Sequence, residues 1–337
     1  TKPKPGTCLE PSLIMASTQQ TPGTFTLKRP VICVVGPTAS GKTDVAQQLA
    51  ARLNGEVVSA DSMQVYKGMD IGTGKLPASE RIVPHHGFDL IDPGQPYSAA
   101  LFQAYARTCF RDIEKRGKRS VLAGGTGFYV RAAIDAYEFP EGEQVGNAIR
   151  DKWNTFANVH GVEALWRELQ KVDPQSASVI PPADVKRVVR AFELLADGTS
   201  YAQQKERLAH IEQYVPAVFI GLAVEPNILR TRIRARVDHM IEQGLVEEVK
   251  GLLKDGFREG VTAPSAIGYK EIVSALDGAC SLEEAIEAIK TATCRYAKRQ
   301  RTWFRKDKRI HWLCADSGDT DALAAEALTV LDKLDFD

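Results

Sequence analysis

Hydrophobic positions along this chain follow two alternating periods. Val31 to Val35 is an unbroken apolar run, and Asp44 to Leu53 follows with Val45, Leu49 and Leu53 on one helical stripe. Glu56 to Ala60 is a second short run, ending at Asp61, and Ser98 to Arg116 has helical spacing. Ser120 to Ala123 and Val218 to Val224 read as further buried strands. Strands separated by helices predict a parallel sheet covered by helices on both faces. After Pro226, the positions Leu229, Ile233, Val237, Met240, Ile241, Leu245, Val249 and Leu252 share a face and predict one long amphipathic helix. Ser281 and Glu284 have capping-box spacing and open a last long helix that runs into TCRYAKRQRTWFRKDKR.

The alternation breaks once. Between Pro140 and Val215 the text is helical with proline breaks and no strong strand. This predicts an inserted all-helical domain over 140–214, dividing an α/β core into 30–139 and 215–315. Residues 1–29 are rich in Pro, Thr and Gln without helical period and read as a mobile tail, and 316–337 as a C-terminal segment. Composition constrains function more than fold. The 337 residues carry a formal net charge of zero, so contact with nucleic acid has to come from local patches. No apolar run approaches the ~18 residues of a membrane span. The six cysteines are scattered without a C-x-x-C pair, which argues against a zinc module or disulfide framework and suits a reducing cytoplasm. Nothing demands a dimer, and a monomer is expected.

The first candidate chemistry is Gly36-Pro37-Thr38-Ala39-Ser40-Gly41-Lys42-Thr43, which fits G-x-x-x-x-G-K-[ST] between a strand and a helix. Its amides suit phosphate oxygens, Lys42 supplies a point charge, and the Thr43 hydroxyl suits Mg²⁺. The fold class is therefore P-loop NTPase-like, with the helical insertion and C-terminal basic helices added. The motif specifies a phosphate chain and not a nucleotide. Asp61 stands beyond a strand's carboxyl end, where it could hold Mg²⁺, accept a proton, or merely shape a turn. Gly124-Gly125-Thr126-Gly127 replaces the acidic residue that a motor NTPase carries there. The Thr126 hydroxyl suits a second phosphate or leaving group, or the glycines form only a tight turn. Arg232 and Arg236 lie four apart on one helical face and could reach the phosphates, unless they belong to a solvated basic face with Arg230 and Arg234. From Arg295 to Arg309 there are eight Lys or Arg and one acid, with Tyr296, Trp303 and Phe304 interleaved. This pattern, with a stripe of Lys186, Arg187 and Arg190, is consistent with an RNA groove. His85-His86 lies in a Pro-flanked loop with no third ligand at metal spacing and reads as structural.

GPTASGKT, SADSMQVY, DIGTGK, GGTGFY, LRTRIRARVDHMIEQGLVEEV, SAIGYKE and YAKRQRTWFR, in that order, resemble the tRNA dimethylallyltransferases, or tRNA isopentenyltransferases, of bacterial type. The resemblance covers about Pro30 to Leu313. It implies that the loop holds dimethylallyl diphosphate rather than ATP. The dimethylallyl group would pass to N6 of the adenosine 3′ of a tRNA anticodon, and diphosphate would leave. By the same resemblance Asp61 is the base, Thr126 and Arg232 act on the leaving group, and Arg236 joins Lys42 and Thr43 on the diphosphate. Asp61, Ser62, Met63 and Gln64, with Thr126, hold the flipped base. Arg150, the segment Lys186-Arg187-Val188-Val189-Arg190, and Lys298, Arg299, Gln300 and Arg301 contact tRNA. The chain departs mildly from the family text at ADVKRVVRAFE and at Phe128, where Leu is common. Competing readings are a P-loop small-molecule or nucleotide kinase, an adenylate isopentenyltransferase acting on free AMP or ATP, and a non-enzymatic RNA-binding protein.

Overall fold

Each apolar run in the core forms a strand whose side chains are covered on both faces. The structure, a computed structural model, describes residues 26–139 and 147–334. Two compact units result: 26–135 with 213–334, and 136–212. The second begins four residues before, and ends two residues before, the bounds read from the sequence.

In the first unit, β1 (Val31–Val35) leads through the phosphate-binding loop into α1 (Lys42–Arg52) and then β2 (Gly55–Ser59). β3 (His85–His86), α2 (Ala99–Lys115), β4 (Arg119–Gly124) and α3 (Gly127–Ile134) follow. β1, β2 and β4 are buried throughout, which is why they read as continuous apolar runs rather than alternating ones. The second unit consists of α4 (Ala148–His160), α5 (Val162–Val172), α6 (Pro174–Val179), α7 (Val185–Ala196) and α8 (Tyr201–Ala209). Leu165, Leu169, Val188, Val189 and Phe192 form its own core. The chain then returns to the first unit with β5 (Ala217–Ala223), α9 (Pro226–Glu242), α10 (Leu245–Lys254), α11 (Tyr269–Leu276), α12 (Leu282–Phe304), β6 (Ile310–Cys314) and α13 (Thr320–Asp332).

The sheet is parallel throughout, in the order β3-β2-β4-β1-β5-β6. Val31, Cys33 and Val35 of β1 face one layer with α2 and α3, while Ile32 and Val34 face another with α1, α9 and α13. All strands therefore point their carboxyl ends the same way, and the loops after β1, β2 and β4 meet there.

Four departures from the sequence reading have local causes. The expected single helix after Pro226 is two helices, because Gly244 takes φ 100° and breaks the ladder between α9 and α10. His85-His86 is not loop but an edge strand, paired with Val57 and Val58. The segment after 315 belongs to the core: Leu323, Ala324, Ala327 and Leu331 of α13 pack on the sheet. Of the expected tail, residues 1–25 lie outside the described residues, but Leu27 is buried and the Lys28 amide donates to Glu114 at 2.5 Å.

Candidate active site

A cavity of about 290 Å³ opens where the loops after β1 and β2 meet α9 and α12. Thr38, Lys42 and Thr43 line one side, and Asp61, Ser62, Met63 and Gln64 line the next. Arg236 comes from α9, and Tyr296, Arg299 and Gln300 come from α12. Ile233, Val237, Met240, Ile267 and Ile289 make an apolar wall. Three cations thus face one carboxylate, a balance that favours an anionic ligand.

The loop is built as the motif requires. Ala39 takes a left-handed φ of 62° and Gly41 one of 84°, so consecutive amides turn toward one point. The Lys42 ammonium caps the loop by donating to the Pro37 carbonyl at 3.2 Å. Burial, and then the neighbouring Arg236, pull the Lys42 pKa down to about 8, with Asp61 opposing them. Burial likewise lowers Arg236, and the charges of Asp61 and Asp44 hold it up. Its guanidinium makes no hydrogen bond to a described residue and lies where a side chain on Gly74 would stand. Gly74, at φ 61°, is what lets this arginine approach.

Asp61 follows the end of β2. One of its oxygens, Oδ1, accepts the Met63 amide at 2.9 Å, which fixes the carboxylate and leaves Oδ2 for a ligand. Ser62 is anchored through its amide, which donates to Thr126 Oγ1 at 3.2 Å. This bond ties Thr126 to the Asp61 loop; expected on the leaving group, Thr126 is not among the residues that line the cavity. The Tyr296 hydroxyl is pushed up to about 12 by burial and by Asp61, so it stays a neutral donor in the cavity wall. The Gln64 amide is committed: its oxygen accepts from Ser59 at 2.7 Å and its nitrogen donates to the Thr73 and Gly74 carbonyls at 3.3 Å.

Three expectations need correction. Arg232 does not line the cavity. It donates to the carbonyls of Ala315 at 2.9 Å and Asp316 at 2.5 Å, tying α9 to the chain after β6. Arg236, one turn further on, occupies the position over the loop. Gln300 is not an RNA-facing side chain: it is 5 % exposed, accepts the Thr38 amide at 2.9 Å and donates to the Gly125 carbonyl at 2.9 Å. Val188 and Val189 are buried in the second unit's core, because helical period turns them inward while Lys186 and Arg187 stay exposed. Arg187 pairs with Asp184 at 2.5 Å, and both Arg150 and Arg190 bond Glu193. On α12, Lys298 and Arg299 are exposed and Arg301 is half-buried. The sequence reading placed Tyr296 among the aromatics of an RNA groove rather than in the cavity wall, and did not assign the Gly72 to Gly74 rim. The DIGTGK text signals the rim, but nothing local signals the depth of Tyr296.

Among known proteins, a family model described as IPP transferase matches residues 64–307, and one described as Isopentenyl transferase matches 30–83. A tRNA dimethylallyltransferase of Carboxydothermus hydrogenoformans is 45 % identical over 86 % of this chain and 92 % of its own. One from Acidothermus cellulolyticus is 43 % identical over 94 % of this chain and 98 % of its own. The crystal structure of a tRNA isopentenylpyrophosphate transferase from Bacillus halodurans is 42 % identical, with a TM-score of 0.66, covering 91 % of this chain and 96 % of that one. A eukaryotic dimethylallyltransferase captured acting on tRNA is 29 % identical, with a TM-score of 0.76, over 91 % of this chain and 79 % of that one. A cavity of this build, in a sequence matched over most of its length, means that the chain belongs to the tRNA dimethylallyltransferase family.

Proposed function

We propose that this protein transfers the dimethylallyl group of dimethylallyl diphosphate to N6 of the adenosine 3′ of a tRNA anticodon, releasing diphosphate. The observation that carries the reading is the two-sided cavity: a cationic loop with Lys42 and Arg236 at one side, and an apolar wall of Ile233, Val237, Met240, Ile267 and Ile289 at another. An allylic diphosphate has the same division into anion and hydrocarbon.

The step then follows from the residues. The bond between the allylic carbon and the diphosphate oxygen breaks, and its electrons pass to that oxygen. Lys42, Arg236 and the loop amides meet the developing charge, and Thr126 positions the Asp61 loop. The N6 lone pair forms the new carbon–nitrogen bond, and the free oxygen of Asp61 accepts the proton that N6 loses. The adenine leaves its stack to enter, framed by Ser62, Met63 and Gln64. Lys298, Arg299 and Arg301, with Arg150, Lys186, Arg187 and Arg190 of the second unit, hold the RNA backbone. Thr43 would hold Mg²⁺. Among the described residues no group of three or more His, Cys, Asp or Glu could ligate a metal. Such an ion supplies charge neutralisation of the diphosphate. We place the protein in the cytoplasm as a monomer, a reading supported by cysteines scattered without a C-x-x-C pair.

Incubation with an allylic diphosphate labelled in the prenyl group, mixed tRNA and Mg²⁺ tests the reading. Label is expected in RNA. Phosphoryl transfer from ATP without RNA, with no label in tRNA, would replace it with the kinase reading. Label in AMP alone would replace it with the adenylate reading.

A further inference from the structure

Glu193 is the least expected residue of the helical unit. It sits on α7, 2 % exposed, in a small core of Leu, Val, Ala and aromatic side chains. Burying a carboxylate is costly, and an apolar residue of similar size would serve the packing at least as well. The core beside it is already well made: Trp153 of α4 stacks on Phe192 at 3.7 Å between centroids and 13° between planes.

The carboxylate is used from two sides. Arg150 of α4 donates from Nε to Oε1 at 2.6 Å and from Nη2 to Oε2 at 3.3 Å. Arg190 of α7 donates from Nη1 to Oε2 at 2.9 Å. Burial alone would raise the Glu193 pKa, but hydrogen bonds from Arg150 and Arg190 bring it below the ordinary carboxylate value. Both arginine side chains remain 37 % exposed. The group as a whole carries one net positive charge, with the negative member inside and both positive members at the surface. Surface arginines ordinarily sample many rotamers, and ordering them opposes binding. Here that ordering is already done.

We infer that Glu193 is a positioning residue that holds Arg150 and Arg190 as a preset pair for one phosphate of the RNA backbone. The inference rests on the proposed tRNA substrate. A planar guanidinium pair fixed in direction matches phosphate oxygens better than flexible point charges do.

The test exploits a difference in sign. By net charge alone, Glu193→Gln removes a negative charge and should tighten RNA binding. By positioning, it frees both arginines and should weaken it. Wild type is assayed first: tRNA binding with prenyl transfer establishes the substrate independently. Glu193→Gln is then expected to raise the tRNA Kd and KM by about 5–10-fold with kcat unchanged. The slope of log Kd against log salt should fall by about 0.7–0.9, the worth of one phosphate contact. Arg190→Lys, a surface change that keeps charge and fold, is expected to weaken tRNA binding similarly. The double variant should be no worse than either single one, because both act through the same pair. Wild-type or tighter Kd for folded Glu193→Gln would overturn the inference, even with a lowered melting temperature. Full additivity in the double variant, or wild-type binding by Arg190→Lys, would overturn it too.

Discussion

The depressed Lys42 ammonium should make donor binding pH-dependent in a range where an ordinary lysine is silent. Burial, with Arg236 beside it, brings Lys42 to about 8 in the free protein. At pH 7 roughly 90 % of the side chain is then charged, and at pH 9.5 only about 3 %. A lysine at its ordinary value would still be about 90 % charged at pH 9.5. Because the folded-state pKa is lowered, the charge that grips the diphosphate is present below about 8 and is lost as pH rises through it. Bound diphosphate favours the charged form, so binding takes up a proton. Donor affinity should fall about 30-fold between pH 7 and pH 9.5, equivalent to about 2 kcal/mol. At pH 8.5 about 0.7–0.8 proton should be taken up per donor bound. The donor's last phosphate proton is gone near ~6 and does not interfere. Calorimetry with dimethylallyl diphosphate and no tRNA, in two buffers of different ionisation enthalpy, measures both quantities. Lys42→Arg stays charged across the range, so its affinity should be lower but flat with pH. An affinity that is flat for the wild type, or that falls equally in Lys42→Arg, would refute the argument.

Three further outcomes are expected. Asp61→Asn should slow single-turnover transfer about 10²–10⁴-fold with donor and tRNA affinity nearly unchanged, and a loss under about fivefold removes Asp61 from proton transfer. Arg236→Ala should lower kcat/KM about 10²–10³-fold, whereas Arg232→Ala should cost about 1–3 kcal/mol of stability and less than about threefold in transfer; steady-state kinetics and urea unfolding would expose the reverse assignment. Gln300→Ala strands the Thr38 amide and the Gly125 carbonyl and should destabilise the protein by about 2–4 kcal/mol in urea; unchanged stability with weakened tRNA binding would return Gln300 to the RNA surface.

Much of this site is legible in sequence because its determinants are local. The phosphate loop is one continuous spacing, and Asp61 is read from its place after an apolar run. The arginines of α9 show where such reading ends. Period assigns Arg232 and Arg236 to one face, but one turn, about 5.4 Å, decides which enters the cavity and which ties down the chain after β6. Gln300 escapes because its partner Thr38 is 262 positions away, while its neighbours are basic and exposed. β6 escapes because His311 and Trp312 are exposed, so the strand lacks the apolar run of its buried neighbours. Gly244 was visible, but an apolar stripe continuing through it favours one helix over two, and only its φ of 100° separates them.

The two ends of the helical unit suggest how such a protein is assembled from parts. Asp135 and Gln213 face each other as an antiparallel bridge inside the first unit, and the adjacent Ala136 amide donates to the Glu212 carbonyl at 2.9 Å. Chain leaves and re-enters the sheet unit at a single point, as at the mouth of a hairpin. A two-residue Asn-Gly turn can close a gap of that geometry. The 77 residues from Ala136 to Glu212 are therefore a cassette. A different helical insert could be grafted at that doorway without re-registering a strand, leaving the sheet unit and its cavity unchanged.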